Sequence, residues 1–312
     1  MILRNNPLWY IAGIGAVGSI IAASFCRGEQ SVRLLLKNQQ QLDSYQQSKL
    51  MMISEQFSYQ CHPDAYLHSS VCEPINYLIC CTKAYDVLPL VKSLAHALDE
   101  ESIVLLIHNG MGVIEEVSKE LPHLRIISGI TYIGGYVEKP YLVRAFLNNR
   151  FYLGASVGQF TPAEITLVEH AFRASSLACE WTDSIGNLIW NKFAINCSIN
   201  LLTVLFNCKN GLLIQHEKLL KQLSQEISSV LQAYGQIISA DELFETIKTT
   251  IKNTAENYSS MYKDINNKRL TEIHYLNERL VELAEQKNIP APLTSQLLTQ
   301  FYTLFPDQKY KK

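Results

Sequence analysis

The sequence lacks an excess of positive charge. Its 27 lysine and arginine residues are outnumbered by 29 aspartate and glutamate residues, which leaves a formal net charge of −2 at pH 7, and the sequence pI is about 6.5. The basic residues are also scattered along the chain. Proteins that bind nucleic acid carry a basic patch or stripe. The composition therefore argues against a nucleic-acid partner and against an anionic membrane surface.

The sequence also lacks cysteines at the spacings that metal sites and disulfide frameworks use. The eight cysteines, at positions 26, 61, 72, 80, 81, 179, 197 and 208, form no C-x-x-C pair and no metal-ligand spacing with a neighbouring histidine. Zinc sites and disulfide frameworks show such spacings. Several of these cysteines lie in apolar stretches, where a free thiol behaves as a small buried hydrophobe. The sequence predicts no metal site and favours a reducing, cytoplasmic location.

Internal repeats and low-complexity linkers are also absent. A chain of 312 residues with 47% hydrophobic content can bury a large core and commonly forms two domains. Strand-like runs dominate the first part, whereas helical periodicity dominates from about residue 184. The predicted helices cover 184–208, 215–235, 241–257, 270–288 and 293–304. We predict an α/β domain over 1–180 and an all-α domain over 181–312.

A glycine-rich loop follows the first apolar run, Leu8–Ala12. The spacing is G-x-G-x-x-G, and small apolar residues continue to about Phe25. This order is typical of a Rossmann-type dinucleotide-binding βαβ unit, in which the first glycine makes the turn, the second lets the backbone approach a pyrophosphate, and the third permits close packing. The predicted cofactor-binding residues of the loop are Gly13, Ile14, Gly15, Ala16, Val17 and Gly18.

Hydropathy allows another interpretation of the same stretch. Arg4 precedes an uncharged segment from Asn5 to Cys26, an order that is also typical of a signal peptide or membrane anchor. An anchor would abolish the cofactor loop. The strands that follow favour the loop, and with it a protein that has no membrane segment.

Three further strand-like runs end in polar residues. The run over 31–37 ends at Lys37, the run over 77–83 ends at Lys83, and the run over 102–110 contains Asn109. The carboxyl ends of strands in a doubly wound sheet form the ligand crevice. Lys37 follows the loop by about 20 residues, where an acidic residue would bind the ribose of NAD and a basic one accommodates the 2′-phosphate of NADP. Alternatively, Lys37 is a solvated strand end.

Two polar groups interrupt the helical part. Lys192, Asn196 and Asn200 are spaced four residues apart, so a helix would present them on one face. They could also be a snorkelling lysine and two buried, hydrogen-bonded amides. The second group includes Glu272, predicted near the start of a helix that continues through Leu280. A first-turn carboxylate favoured by the helix dipole, with Thr271 or Ser260 as the cap, is the structural alternative.

In combination, these segments resemble the ketopantoate reductase (2-dehydropantoate 2-reductase) family over nearly the whole chain. The likeness rests on GIGAVGS (13–19), TKAYD (82–86), HNGMG (108–112), WNKFAINCSIN (190–200), NCKNG (207–211) and NYSSMYKDINNKRLTEIHYLN (257–277). The glycine loop is generic. The long stretches in the helical part, in this order, are specific to the family.

The resemblance implies a Rossmann-type NADP-binding domain followed by an all-α domain like the C-terminal domain of 6-phosphogluconate dehydrogenase. It implies that Lys192 is the proton donor, that Glu272 is the acidic partner of lysine, substrate and cofactor, and that Asn109 bridges cofactor and substrate. Lys83 and the glycine loop would hold the NADP. The other implied substrate-binding residues are Asn196, Asn200, Ser260 and Glu226.

The implied activity is NADPH-dependent reduction of 2-dehydropantoate to (R)-pantoate, in the synthesis of pantothenate and coenzyme A. Hydride transfer leaves negative charge on the carbonyl oxygen, which a lysine can stabilise and protonate. Burial would lower the pKa of Lys192 and Glu272 would raise it, and the sequence does not decide between the two effects. A reductase of another 2-keto acid and a non-catalytic NADP-binding regulator remain alternatives. The family includes dimers, so a homodimer is allowed.

Three residues depart from the family pattern. His108 stands where the family usually has glutamine, Leu201 where it usually has proline, and Glu278 where it often has glycine. None of them is the implied proton donor, so reductase chemistry stays the expectation. His108 adjoins Asn109, so it either alters the substrate pocket or is a plain strand-end residue.

Overall fold

The computed structural model describes residues 7–147 and 150–309. Packing separates the chain into two units. The first comprises the residues up to His108 together with Val113–Ile185, and the second comprises Asn109–Gly112 together with the residues from Gly186 onward. The boundary proposed between residues 180 and 181 falls inside a strand of the first unit. Arg4 and Asn5 lie outside the described residues.

The first unit alternates strands and helices. Its elements are β1 (Leu8–Ala12), α1 (Ala16–Arg27), β2 (Ser31–Leu36), α2 (Gln39–Gln46), β3 (Leu50–Ile53), β4 (Ser58–Cys61), β5 (Asp64–Leu67), β6 (Tyr77–Cys80), α3 (Ala84–Ser93), β7 (Ile103–Leu106), α4 (Val113–Glu120), β8 (Arg125–Thr131), β9 (Gly134–Lys139), β10 (Leu142–Phe146), β11 (Phe151–Val157), α5 (Pro162–Ala174) and β12 (Cys179–Trp181).

Within the described residues, eight strands of this unit form one sheet in the order β12-β11-β8-β7-β6-β1-β2-β5. Neighbouring strands are parallel except β8 and β11. The chain continues from β1 to β2 on one side and returns to β6 on the other, so the strand order reverses at β1. Ligands of doubly wound sheets bind at the carboxyl ends of the strands beside such a reversal. Here β1 leads into Gly13, and Thr82 follows closely after β6.

The position of α1 explains why the N-terminal stretch is so apolar. This helix packs on the large sheet and also contacts a second sheet, with the order β4-β3-β10-β9. Its residues from Gly18 to Phe25 are therefore buried. A turn at Gly13 separates β1 from α1, so the described part of the stretch is not the continuous helix of about 20 residues that a membrane anchor requires.

The second unit is helical. Its elements are α6 (Ile185–Leu205, whose first residue closes the first unit), a 3-10 helix (Asn210–His216), α7 (Glu217–Ala233), α8 (Ala240–Asn253), α9 (Ser260–Asn266), a π-helical turn (His274–Glu278), α10 (Arg279–Gln286), α11 (Pro292–Leu304) and a second 3-10 helix (Pro306–Gln308). By length and composition alone α6 could cross a membrane, and 56% of its most apolar window is buried. Phe193, Cys197 and Leu201 of α6 belong to the core of this unit.

The predicted helix over 270–288 is wrong at its beginning. Glu272 and Ile273 form a bend and a turn, and the π-helical turn follows, in which the N–H of Glu278 donates to the carbonyl of Ile273 at 3.1 Å. The regular helix α10 begins only at Arg279. Glu272 therefore precedes the helix. Apolar periodicity missed this because a π-turn widens the helix locally without interrupting the run of buried residues.

Candidate active site

Lys192 lies on α6 and is half-buried, as is Asn196, whereas Asn200 is buried. The three side chains lie on one face because they are spaced four residues apart. Burial lowers the pKa of Lys192 to about 8, and the negative charge of Glu272 opposes this decrease. The net change in the Lys192 pKa is a decrease, so the effect of burial is larger than the effect of Glu272.

Glu272 is 4% exposed and lies in the bend before the π-helical turn. Its carboxylate oxygen Oε2 accepts a hydrogen bond from the Asn109 amide Nδ2 at 3.2 Å. Asn109 and Glu272 are 163 positions apart in the chain, and Glu272 acts electrostatically on Lys192. Glu272 therefore interacts with two other predicted site residues of the second unit, Asn109 and Lys192.

The segment Asn109–Gly112 is fastened to the π-helical turn. The N–H of Met111 donates to the carbonyl of Tyr275 at 2.9 Å. Gly110 has φ +88°, and a Cβ there would collide with the carbonyl oxygen of Tyr275. Only glycine permits this approach without strain, so the N-G-M-G motif holds the Asn109 side chain near Glu272.

Ser260 is the exposed first residue of α9, and the preceding Ser259 is the helix cap. Ser259 Oγ accepts from the N–H of Tyr262 at 3.0 Å and lies 2.6 Å from the hydroxyl of Thr203 on α6. The alternative that Ser260 is the cap is therefore wrong, and so is the one for Thr271, since its hydroxyl has no hydrogen-bond partner among the described residues. The Ser259–Thr203 pair fixes the start of α9 against the helix that carries Lys192.

Glu226 on α7 accepts hydrogen bonds from the start of another helix, α11. Its two carboxylate oxygens accept the N–H groups of Leu293 at 2.9 Å and Thr294 at 2.8 Å. These N–H groups belong to the first turn of α11, where an anionic side chain satisfies unpaired donors and the helix dipole. Glu226 therefore caps α11. The family resemblance did not imply this capping role.

The glycine loop of the first unit has the geometry that a dinucleotide requires. Gly13 has φ +85°, and a Cβ there would lie 2.5 Å from the backbone of Cys81 and Thr82. A Cβ at Gly18 would collide with the carbonyl of Gly13, whereas the space beside Gly15 is open. No side chain caps the start of α1 among the described residues. The Thr82 hydroxyl nearby is buried and has no hydrogen-bond partner in the part of the chain that the structure describes. An open backbone cradle at a helix N-terminus fits a pyrophosphate.

Lys37 follows β2 with 64% of its side chain exposed, and its Nζ lies 2.8 Å from Oδ1 of Asp86. Asp86 belongs to the first turn of α3, and Lys83 is the N-cap residue of the same helix. Sequence reasoning did not single out Asp86, although it closes the TKAYD motif. The pair places a cation and a carboxylate beside each other at the edge where a ribose phosphate is predicted.

A groove of about 850 Å³ also lies in the second unit. It is lined by residues of the π-helical turn, α10 and α11, among them His274, Glu278 and Tyr302. None of the predicted site residues lines it, so the groove is separate from the group around Lys192.

Comparison with known proteins identifies the family. Residues 9–158 match the family described as "Ketopantoate reductase PanE/ApbA", and residues 184–303 match "Ketopantoate reductase PanE/ApbA C terminal". The chain belongs to the ketopantoate reductase family. It is therefore an oxidoreductase. The 2-dehydropantoate 2-reductase of Vibrio cholerae serotype O1 is 30% identical over 309 residues, which cover 97% of this chain and 98% of that protein.

Solved structures show the fold expected of a ketopantoate reductase. D-mandelate dehydrogenase in a ternary structure with NADH and anilino(oxo)acetate superposes with a TM-score of 0.88 at 21% identity, covering 97% of this chain and 100% of that one. A PanE/ApbA family ketopantoate reductase from Ralstonia eutropha gives a TM-score of 0.87 at 20% identity, with the same coverage. The predicted Rossmann-type domain followed by an all-α domain is confirmed.

The departures from the ketopantoate reductase pattern have structural counterparts. Leu201 is 1% exposed in the core of the second unit. Glu278 accepts a hydrogen bond from the Tyr302 hydroxyl at 2.6 Å and lies 2.7 Å from His274 Nδ1. A glycine at position 278 could make neither contact, so Glu278 links the π-helical turn to α11 in this chain.

Proposed function

We propose that this protein reduces 2-dehydropantoate to (R)-pantoate with NADPH, as a step in the synthesis of pantothenate and coenzyme A. The observation that carries the proposal is the half-buried Lys192, whose pKa is lowered to about 8 and whose charge interacts with Glu272. A lysine with this pKa keeps its proton near neutral pH and gives it up readily. That behaviour suits a group that protonates a developing alkoxide.

The first domain, proposed as residues 1–180, binds the cofactor. The backbone of Gly13–Gly18 and the N-terminus of α1 take the pyrophosphate, and Lys83 lies at the same edge of the sheet, after β6. Lys37 takes the 2′-phosphate, exchanging its contact with Asp86 for a contact with the more highly charged group. The bound dinucleotide supplies the hydride. The cofactor preference follows from the side chain of Lys37.

The second domain, proposed as residues 181–312, binds and protonates the substrate. Lys192 donates a proton to the carbonyl oxygen, and Glu272 stabilises the ammonium form of the lysine. Asn196, Asn200 and Ser260 orient the keto acid with neutral donors and acceptors. Asn109 holds Glu272 in place through its amide. Glu226, which the resemblance implies as a substrate-binding residue, has both carboxylate oxygens engaged at the start of α11.

The same proposal covers location and assembly. The enzyme works in the cytoplasm on a small-molecule substrate. A solved ketopantoate reductase from Staphylococcus aureus is described as dimeric, which supports a homodimer for this chain.

A reductase of a different 2-keto acid is the second candidate. It is favoured by the structural likeness to D-mandelate dehydrogenase and by the departures at His108 and Glu278. In this case the Lys192 chemistry is unchanged and the substrate side chain differs. A third candidate, a non-catalytic NADP-binding regulator, predicts that Lys192→Ala leaves the cellular role intact.

The deciding experiment follows the loss of absorbance of NADPH, and separately of NADH, when the purified protein meets 2-dehydropantoate. Lys192→Ala should abolish the reaction, whereas Lys218→Ala, which removes an exposed lysine of α7, should not. Turnover only with the 2-keto acid of mandelate, or with another member of a 2-keto acid panel, favours the second candidate. Cofactor binding without turnover of any keto acid would overturn both enzymatic proposals.

A further inference from the structure

The π-helical turn His274–Glu278 contacts the separate segments that carry the candidate catalytic group. On one side, the Tyr275 carbonyl accepts from Met111 in the Asn109–Gly112 segment at 2.9 Å. On another side, the Asn277 amide Nδ2 donates to the main-chain carbonyl of Cys197 on α6 at 2.9 Å. Glu272 lies two residues before the turn. One short element therefore joins Asn109, Glu272 and the Lys192 helix.

Asn277 makes the connection to α6. Its side chain is 1% exposed, and its partner is a backbone atom one residue after Asn196, on the helix that also carries Lys192. A bond to the backbone of a helix does not depend on the rotamer of any side chain of that helix. Because the bond is buried, water cannot replace it, and loss of the donor leaves the two elements without this polar link.

We propose that Asn277 is a positioning residue of the reductase, whose amide holds the π-helical turn against α6 and thereby fixes Glu272 and Asn109 relative to Lys192. This inference rests on the proposed function and adds a residue that the family resemblance did not assign a role. Charge interactions depend on distance, so a small displacement of the turn changes the electrostatic setting of the proton donor.

Among the described residues, Glu272 is a charged group that acts on Lys192, and it raises the pKa of the lysine against the effect of burial. Asn109, which faces the carboxylate of Glu272, is neutral. If the turn moves away from α6, Glu272 supports the ammonium form less and the pKa of Lys192 decreases further. A purely structural loss would lower stability without this change in titration.

The test compares Asn277→Leu and Asn277→Ala with Ser198→Ala. Ser198 is buried on α6 and donates to the Ala194 carbonyl at 2.8 Å, so its removal deletes a buried hydrogen bond that joins no second element. Both Asn277 variants should lose kcat by about tenfold through misalignment. The pH at which kcat declines should fall by about one unit. Ser198→Ala should keep both values of the unaltered protein.

Two measurements that need no turnover separate this inference from the proposed function. Competitive acetylation across a pH series, followed by mass spectrometry of the Lys192 peptide, reports the lysine titration directly. Amide hydrogen exchange at Met111 reports the contact with Tyr275. A lower Lys192 titration midpoint and faster Met111 exchange in the Asn277 variants support the positioning role even if no keto acid is reduced. Unchanged titration with only a lower melting temperature would overturn it.

Discussion

Among single residues, Lys192 shows the sharpest conflict between stability and chemistry. Burial lowers its pKa from 10.5 to about 8, although Glu272 opposes the change. A fully solvated lysine, with its higher pKa, would be a weaker acid. The apolar surroundings on α6 that make this ammonium group unfavourable also make it reactive.

The pH dependence of kcat should follow this lysine. We expect kcat to be constant below about pH 8 and to decline above it, since the donor is then deprotonated. Glu272→Gln removes the charge that raises the Lys192 pKa, so the decline should begin at lower pH by about one unit. A pH series of kcat at saturating substrate tests this. Glu256→Gln, an exposed change beside Lys209, should leave the profile in place.

Lys192→Met should stabilise the folded protein at pH 7. The folded-state pKa of about 8 lies below the ordinary value of 10.5, so between these pH values the unfolded chain binds more protons and the stability of the native protein rises with pH. Below pH 8 the full penalty applies, and its removal should add on the order of 2 kcal/mol to the free energy of unfolding. Urea denaturation at pH 7 and pH 9.5 should show a gain that shrinks at the higher pH. An equal or negative change at pH 7 would contradict the burial argument.

Lys37 should set the cofactor preference. Lys37→Ala is expected to raise the KM for NADPH by about tenfold, the order of magnitude of one phosphate contact, and to leave the KM for NADH nearly unchanged. Initial rates with the two cofactors provide the measurement, and Lys49→Ala, an exposed lysine before β3, serves as the control. Equal effects on both cofactors would assign Lys37 to the stability of the strand end through its pair with Asp86.

Among the elements, α11 depends on a residue of another helix for its N-terminus. Glu226 supplies both acceptors for the N–H groups of Leu293 and Thr294, while Ala291 at the N-cap position makes no side-chain hydrogen bond. The local sequence predicts a helix over 293–304. It does not reveal the carboxylate from α7, which lies 67 positions earlier.

Glu226→Ala should therefore lower stability by about 1 kcal/mol, as expected for a lost helix cap, because the first-turn donors of α11 lose their partners. Equilibrium urea unfolding measures the change. Gln225→Ala, at the exposed neighbouring position of α7, should change stability little. If Glu226→Ala instead raised the KM for the keto acid at unchanged stability, the result would favour the substrate-binding role that the family resemblance implies.

At the scale of the whole molecule, each unit has its own core. The core of the first unit includes residues of β1 and of α1, the helix that contacts both sheets. The core of the second unit includes residues of α6, α7, α8, α10 and α11. The segment Asn109–Gly112 belongs by packing to the second unit although it directly follows a strand region of the first. No local pattern predicts this, because the deciding contact is the distant Tyr275 carbonyl.

The assembly is predicted to be a homodimer. Sedimentation equilibrium at micromolar concentration should give twice the 35.4 kDa mass of the chain. A mass of one chain at all concentrations would contradict this expectation, and it would leave the reductase proposal untouched.

The sequence by itself determined the two-part organisation, the glycine loop and the spacing of Lys192, Asn196 and Asn200, because these features depend on local periodicity and backbone sterics. The tertiary structure alone decided that burial outweighs Glu272 at Lys192, that Glu226 caps α11 and that a π-helical turn follows Glu272. Each of these outcomes depends on contacts between residues far apart in the chain or on the local widening of a helix. Hydrophobic patterning records which residues are buried, and it does not record which partners they meet.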